Sequence, residues 1–522
     1  MMQTIVKSIV FAATLAIAAP ATAQKAGGTL IWGTTQVARH FNPAVQSGYA
    51  TAMVGAQVFA SPLRFDDKWN PQPYLAESWS FQDDGKSLLL KLVPNATFHD
   101  GKPVTSEDVA FSIMAIKANH PFSSMLAAVE RVDTPSPTVA IIRMSQPHPA
   151  IFLALSPALC PIMPKHIFGD GADLKTHARN TTPIGSGPYK LAEFKPGEHI
   201  ILEKNPAFFI KDRPKFDRII VRIFRDSNAL AVAIERKEIQ FTPFWADLAL
   251  LDRLSKTPGI ATTDKGGDAI GPLNWLAFNT KKKPLDDARV RQAISFAIDR
   301  EFITKKLHNG RSRIATGPIA PGAPFYSGAV EHYKVDLEKA NRLLDQAGLK
   351  KGAGGVRASL SVDYLPGSNE QQKNVAEYLK PQLKKIGIEV TVRNAPDFPT
   401  WAKRVGAHDF DMTMDAVFNW GDPVIGVHRT YLSSNIRPGI IWSNTQSYSN
   451  PKVDDLLAKA AVERDPAKRK AEYQEFQKIV VGDAPIAYIN VLPYFTIYEK
   501  NLRSLPTTIW GAMAPIDEMY RE

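Results

Sequence analysis

The chain has 522 residues, 44% of them hydrophobic and 22% charged. That is more than one hydrophobic core organises, and the composition excludes disordered and collagen-like classes. Lys and Arg outnumber Asp and Glu by 63 to 52, but the basic runs are as short as Lys281 to Lys283, which excludes a concentrated nucleic-acid-binding stripe and reads as solvated surface charge.

Taken in chain order, the first 23 residues carry Lys7, an apolar stretch from Ile9 to Ala19, and Ala21-Thr22-Ala23 as a small-residue cleavage pattern. This pattern predicts a cleaved secretory signal, because the apolar run is shorter than the ~20 residues a spanning helix needs. Lys7 is the only charge before residue 24, so the mature chain would carry +10. No Cys follows the signal, so a lipid anchor is not expected. The single cysteine, Cys160, cannot form an intramolecular disulfide in an oxidising compartment and reads as a buried thiol.

Strand-like runs at Thr29 to Trp32, Lys86 to Leu92 and Thr138 to Met144 alternate with turn clusters, and Thr105-Ser106-Glu107-Asp108 predicts a capped helix start. Three more strands are expected at Tyr189 to Phe194, His199 to Glu203 and Arg218 to Phe224, the first two joined by Lys195-Pro196-Gly197. Helical spacing of Val290, Ile294, Ala297, Ile298 and Phe302 predicts one helix from Asp286 to Asn309. Arg357 to Tyr364, Asn369 to Ile386 and Ile388 to Arg393 read as strand, helix and strand, a right-handed βαβ unit in which Pro381 either kinks the helix or starts it. Asn450-Pro451 predicts a further helix start. Strand and helix are mixed throughout, which makes this an α/β chain.

The search for linear catalytic motifs is negative. None of the eleven histidines forms His-Glu-x-x-His or an i, i+3 or i, i+4 pair; one cysteine excludes a thiolate zinc site; and no Gly-x-Ser-x-Gly elbow is present. Gly85-Lys86-Ser87 lacks the leading glycine of a phosphate loop, since position 80 is Ser, and Ser449-x-x-Lys452 lacks a Lys-Thr-Gly partner. Neither a metal nor a cofactor is expected. Nine tryptophans and fourteen tyrosines, several in polar turns, suit an adaptable binding cleft.

Several blocks resemble one family. They are Tyr74-Leu75-Ala76-Glu77-Ser78-Trp79 with Phe98-His99-Asp100-Gly101-Lys102-Pro103, Gly185-Ser186-Gly187-Pro188-Tyr189 with Glu203-Lys204-Asn205-Pro206, and Phe278-Asn279 with Pro284-Leu285-Asp286-Asp287 and Val290-Arg291-Gln292-Ala293. The chain is identified on these as similar to the bacterial solute-binding family 5, which includes the oligopeptide-, dipeptide- and nickel-binding proteins of ABC importers. The resemblance implies a periplasmic, monomeric receptor with no catalysis and no nucleic-acid partner, delivering a peptide or small solute to an inner-membrane ABC permease. It implies a two-lobed, hinge-bending fold of the class II periplasmic-binding-protein type with an extra subdomain in lobe I. Lobe I would comprise 24–57, 182–275 and 493–522, the subdomain 58–181, and lobe II 276–492, with a hinge near 275 and 492.

Peptide-binding members hold the ligand's ammonium with an Asp four residues before a Pro; in this chain that position, ahead of Pro423, is Asn419. Asn supplies no opposing charge, which opens the alternative of a non-peptide solute such as an opine, a glycoside or a metal chelate; a secreted hydrolase or chaperone is the reading from a different class. Asp422 is either a shifted substitute for the missing acid or a turn residue. Other candidate ligand contacts are Thr35, Arg39, His40, Trp245, Trp275, Trp420 and Arg429, with Arg437 and Trp442 flanking the same segment. Arg429 stands out because a guanidinium can hold a carboxylate with two hydrogen bonds. The plainer readings are a polar loop for Thr35, Arg39 and His40, core packing for the tryptophans, and a surface position for Arg429.

Overall fold

The computed structural model describes residues 27–366 and 371–522. The expected signal segment, residues 1–23, lies outside the described residues. Among the described residues no helix is long and apolar enough to cross a membrane.

Two large sheets carry the fold. The first has seven strands in the order Ile260–Thr263, Phe495–Glu499, Phe241–Trp245, Thr29–Thr34, Arg218–Ile223, His199–Lys204 and Tyr189–Lys195. Its centre is Thr29–Thr34, parallel to both Arg218–Ile223 and Phe241–Trp245, with the helix Ser227–Glu235 as the crossover. The second has six strands in the order Arg313–Ile314, Ile486–Val491, Pro272–Phe278, Met412–Phe418, Ala358–Tyr364 and Ile388–Arg393. A separate four-stranded antiparallel sheet, Ala76–Gln82, Ser87–Leu92, Val139–Met144 and Val129–Ser136, is attached to the first. Each large sheet has its own apolar core, so the molecule divides into two lobes.

The expected strands and the βαβ unit are present: Ala358–Tyr364 and Ile388–Arg393 pair in parallel, joined by the helix Gln371–Lys384. That helix runs through Pro381, so it does not begin there. The start of the expected helix at Asn369 lies outside the described residues. At Thr105, the Asp108 carboxylate accepts from both the backbone N–H (2.8 Å) and the hydroxyl (2.9 Å), fixing the start of Ser106–Asn119.

One element differs from expectation. The single helix expected over Asp286 to Asn309 breaks at Ile298, giving Ala288–Ala297 and then Arg300–Phe302 followed by a short π turn, Ile303–Leu307. Asp299 caps the new start by accepting from Phe302 N–H at 2.8 Å. Arg300 turns inward, donating to the carbonyls of Tyr488 (2.5 Å), Ser295 (2.9 Å) and Tyr333 (3.1 Å). Val290, Ile294, Ala297 and Ile298 are core, whereas Phe302, beyond the break, is exposed and stacks on Tyr378. The spacing of apolar residues alone cannot separate this arrangement from one helix.

The chain passes between the large sheets twice, at 264–271 and at 492–494. The first crossing lies ahead of the expected position near 275: Trp275 sits mid-strand in Pro272–Phe278, packed edge-on to Tyr488. Where the attached four-stranded unit leaves and rejoins the first lobe, Gly187 N–H donates to Val58 O at 2.8 Å, and a Cβ on Gly185 would stand 2.1 Å from that same oxygen. Gly185→Ala should therefore destabilise the protein by about 1–3 kcal/mol or more, read as a fall in the urea midpoint.

Candidate functional site

A cavity of about 1210 Å³ lies between the lobes. Its walls are aromatic. From the first lobe and its attached unit come Tyr49 and Phe122; from the second come Phe418, Trp420 and Trp442; Tyr494 comes from the second crossing. Tyr49 stacks on Phe244 (5.1 Å) and Phe418 meets Tyr494 edge-on (6.4 Å). Burial pushes the Tyr49 hydroxyl up to about 12, so both phenols stay neutral hydrogen-bonding groups, Tyr494 being raised further for the same reason.

The segment following the strand Met412–Phe418 shapes the second lobe's wall. Asn419 is buried, its Oδ1 accepting from Ala320 N–H (2.8 Å) and its Nδ2 donating to Pro318 O (3.1 Å). Its own N–H bonds to Ile270 O at 2.8 Å, which ties this segment to the first crossing. Gly426 is a close-packed neighbour: a Cβ there would lie 2.1 Å from Asn419 O. Trp420 takes a left-handed backbone, φ +52, and its ring reaches Phe122 (5.3 Å) and Trp510 (6.4 Å), both belonging to the opposite core. The next side chain, Asp422, is buried with Arg469, two hydrogen bonds of 2.7 and 2.8 Å, and also accepts from Val424 N–H at the start of a helical turn.

Arg429 lies one turn on. Its Nε donates to Gly426 O (3.1 Å), Nη2 to Phe418 O (3.4 Å), and its guanidinium sits 4.8 Å from the centre of the Phe122 ring, a cation–π contact across the lobes. Burial lowers it to about 10, with Asp415 opposing. Asp415, in the adjoining strand, is 4% exposed and bonded to Ala416 N–H (2.6 Å) and Trp442 Nε1–H (3.3 Å). Burial pushes its carboxyl up to about 7, outweighing those two donors and Arg429.

The structure thus places the expected residues in three groups. Trp420 and Arg429 line the cavity, as do the flanking Arg437 and Trp442. Thr35 and Trp245 line a side pocket of about 80 Å³ that shares Gln36, Tyr49, Ala246 and Tyr494 with the main one. Asn419, Asp422, Trp275, Arg39 and His40 line neither. The Asn419 amide and the Asp422 carboxylate are used inside the fold, Trp275 is core, Arg39 is exposed, and His40 holds Asn42 N–H in its own turn. Sequence reasoning missed Tyr49, Phe122, Tyr494, Lys117 and Asp415. Only Asp415, next to the segment singled out, and Tyr494, at an expected crossing, carried any signal. Among the described residues no group of His, Cys, Asp or Glu side chains is arranged to hold a metal ion.

Comparison with known proteins shows the family and the fold. The model of the bacterial extracellular solute-binding proteins, family 5 (middle), matches residues 70–438. The oligopeptide-binding protein AppA of Bacillus subtilis is 25% identical over 506 residues, 93% of this chain and 89% of that one. The ABC transporter substrate-binding protein CtaP of Listeria monocytogenes superposes with a TM-score of 0.82 at 26% identity, covering 95% of this chain and 100% of CtaP. NikZ of Campylobacter jejuni, in complex with Ni(L-His), gives 0.81 at 25% identity over 94% and 99% of the two chains.

Two predictions follow from these bonds. Asn419→Asp should lower the melting temperature rather than create an amine site, because it exchanges the donor facing Pro318 O for a carboxylate oxygen. The folded-state pKa of Asp415 stands above the ordinary value of ~3.9, so its contribution is present at low pH and is lost as pH rises through about 7. Between these values stability should fall by about 1.4 kcal/mol per pH unit. Urea titrations at several pH values should show that slope flattened in Asp415→Asn.

Proposed function

We propose that this chain, which belongs to the family 5 bacterial extracellular solute-binding proteins, is a periplasmic receptor that captures a peptide or peptide-like solute between its lobes and delivers it to an ABC importer. The observation that carries the reading is the cavity. It is walled by both lobes and exceeds the roughly 300–1,000 Å³ of drug-sized ligand sites, which suits an extended ligand held by stacking and hydrogen bonds. AppA and CtaP support the class by their names, oligopeptide-binding and ABC transporter substrate-binding.

In this reading lobe I comprises 27–57, 182–263 and 495–522, its subdomain 58–181, and lobe II 272–491, the expected boundary near 275 moving to the crossings 264–271 and 492–494, where the bending takes place. Trp420, Arg429, Trp442, Tyr49, Phe122 and Tyr494 contact the solute, and Thr35 and Trp245 receive a small group in the side pocket. Residues 1–23 act as a cleaved export signal without lipid attachment, the mature chain works as a monomer, and bound solute leaves unchanged. A ligand touching both lobes stabilises closure over opening, which converts binding into a shape the permease distinguishes.

A second reading, a non-peptide solute, is favoured by one observation: the Asn419 side chain is spent on Pro318 and Ala320. Native mass spectrometry of freshly purified protein, with identification of what denaturation releases, should yield a stoichiometric, intact peptide-like solute. Adding that solute back should contract the molecule in small-angle scattering and shift tryptophan fluorescence, the shift being reduced in Trp442→Phe. Released hydrolysis products, or no contraction at saturation, would remove the receptor reading.

A further inference from the structure

The three most deeply buried arginines of this protein are held by partners inside the fold. Arg469 has the Asp422 carboxylate, Arg291 has the carbonyls of Asp483, Ala484, Leu285 and Asp286, and Arg300 has those of Tyr488, Ser295 and Tyr333. Arg300 and Arg429 each leave one guanidinium nitrogen unbonded and lack a counter-charge, but Arg300 is sealed in the core, whereas Arg429 is only half-buried and faces the cavity. Two of its nitrogens reach backbone carbonyls, Nη1 has no hydrogen bond, and no carboxylate lies within ion-pair distance of the guanidinium among the described residues. The nearest acid that acts on it, Asp415, is committed to Ala416 N–H and Trp442 Nε1–H. A desolvated cation without a counter-charge is costly, and an incoming anion would offset that cost.

The rest of the wall has the same sign. Lys117, which donates to Val129 O, and the exposed Arg437 line the same cavity, and no Asp or Glu does so among the described residues. Phe122 and the two carbonyls hold the guanidinium plane in place, so little side-chain freedom remains to be lost when a ligand arrives.

We propose that the solute is a carboxylate-bearing anion received by Arg429, and that a free amine is not part of its recognition: an amine-blocked, peptide-like acid. This rests on the receptor reading above and names the charge class of its ligand. The Arg429 fork binds one carboxylate, Lys117 and Arg437 favour further negative charge, and the aromatic walls take the uncharged body of the solute.

The test uses the mature chain stripped of ligand and three pools from one peptic digest: untreated, acetylated at its amines, and amidated at its carboxyls. Peptides retained after gel filtration are counted by mass spectrometry. The acetylated pool should be retained at least as well as the untreated one, and the amidated pool should fall by about tenfold or more. Arg429→Gln should bring retention of the acetylated pool down to that of the amidated pool, with Arg429→Lys in between, while both variants keep the parent's melting temperature within a few degrees. Loss of the acetylated pool with retention of the amidated one would overturn the proposal, as would Arg429→Gln discriminating the pools as the parent does. Retention of none of the three would be a different failure, that of the peptide-like reading itself, and would take this proposal with it.

Discussion

Asp422 and Arg469 share two short hydrogen bonds in a region closed to solvent, and the geometry of the cavity depends on that pair. Neither charge can be left alone there, since an unpaired buried ion costs several kcal/mol, so the segment carrying Asp422 has one place to go. Once it is held, Asn419 on one side bridges to Pro318 and Ala320, and the turn through Gly426 brings Arg429 against the carbonyls of Gly426 and Phe418. Trp420 then leaves the second lobe and packs among residues of the first core. An ion pair buried inside the fold, away from the cavity lining, therefore positions the aromatic and cationic groups that line the cavity.

The cavity's character follows from which polar groups are spent and which are left over. The acids nearest to it are spent: Asp422 on Arg469, Asp415 on its own strand and on Trp442. The bases are only partly satisfied by carbonyl oxygens, which accept hydrogen bonds but bring no net charge. A wall built this way keeps a positive sign inside a low-dielectric enclosure, where charge acts more strongly than at the surface. The overall basic balance of the chain is unrelated to this, because most of its Lys and Arg are solvated and many form exposed ion pairs of little energetic weight.

Local patterns in the chain were read well where local forces decide. The capped start at Thr105, the βαβ unit over 358–393 and the Asn450 cap each depend on residues a few positions apart. The break in the helix expected over 286–309 depends on Arg300 reaching Tyr488, 188 residues away, and the local spacing of apolar residues holds no sign of it. The same limit applies at the site. Asn419 invited a ligand role by its position before Pro423, yet its partners Pro318 and Ala320 are a hundred residues distant and leave no trace beside it.

What the sequence determined by itself was the α/β class, the family, the mixture of strands and helices that makes two cores, and the segment from which the cavity's charge would come. The class is a matter of composition, period and spacing carried by neighbours along the chain, while the family and the segment beside the cavity are matters of resemblance in short motifs. Tertiary structure alone decided which side chains of that segment face the cavity. Arg429 and Asp422 are seven residues apart and oppositely charged, and nothing local marks one as available and the other as spent. The difference is that Arg469 reaches Asp422 across the fold while no acid reaches Arg429 among the described residues. Availability of a polar group is set by the partners folding brings within hydrogen-bond distance.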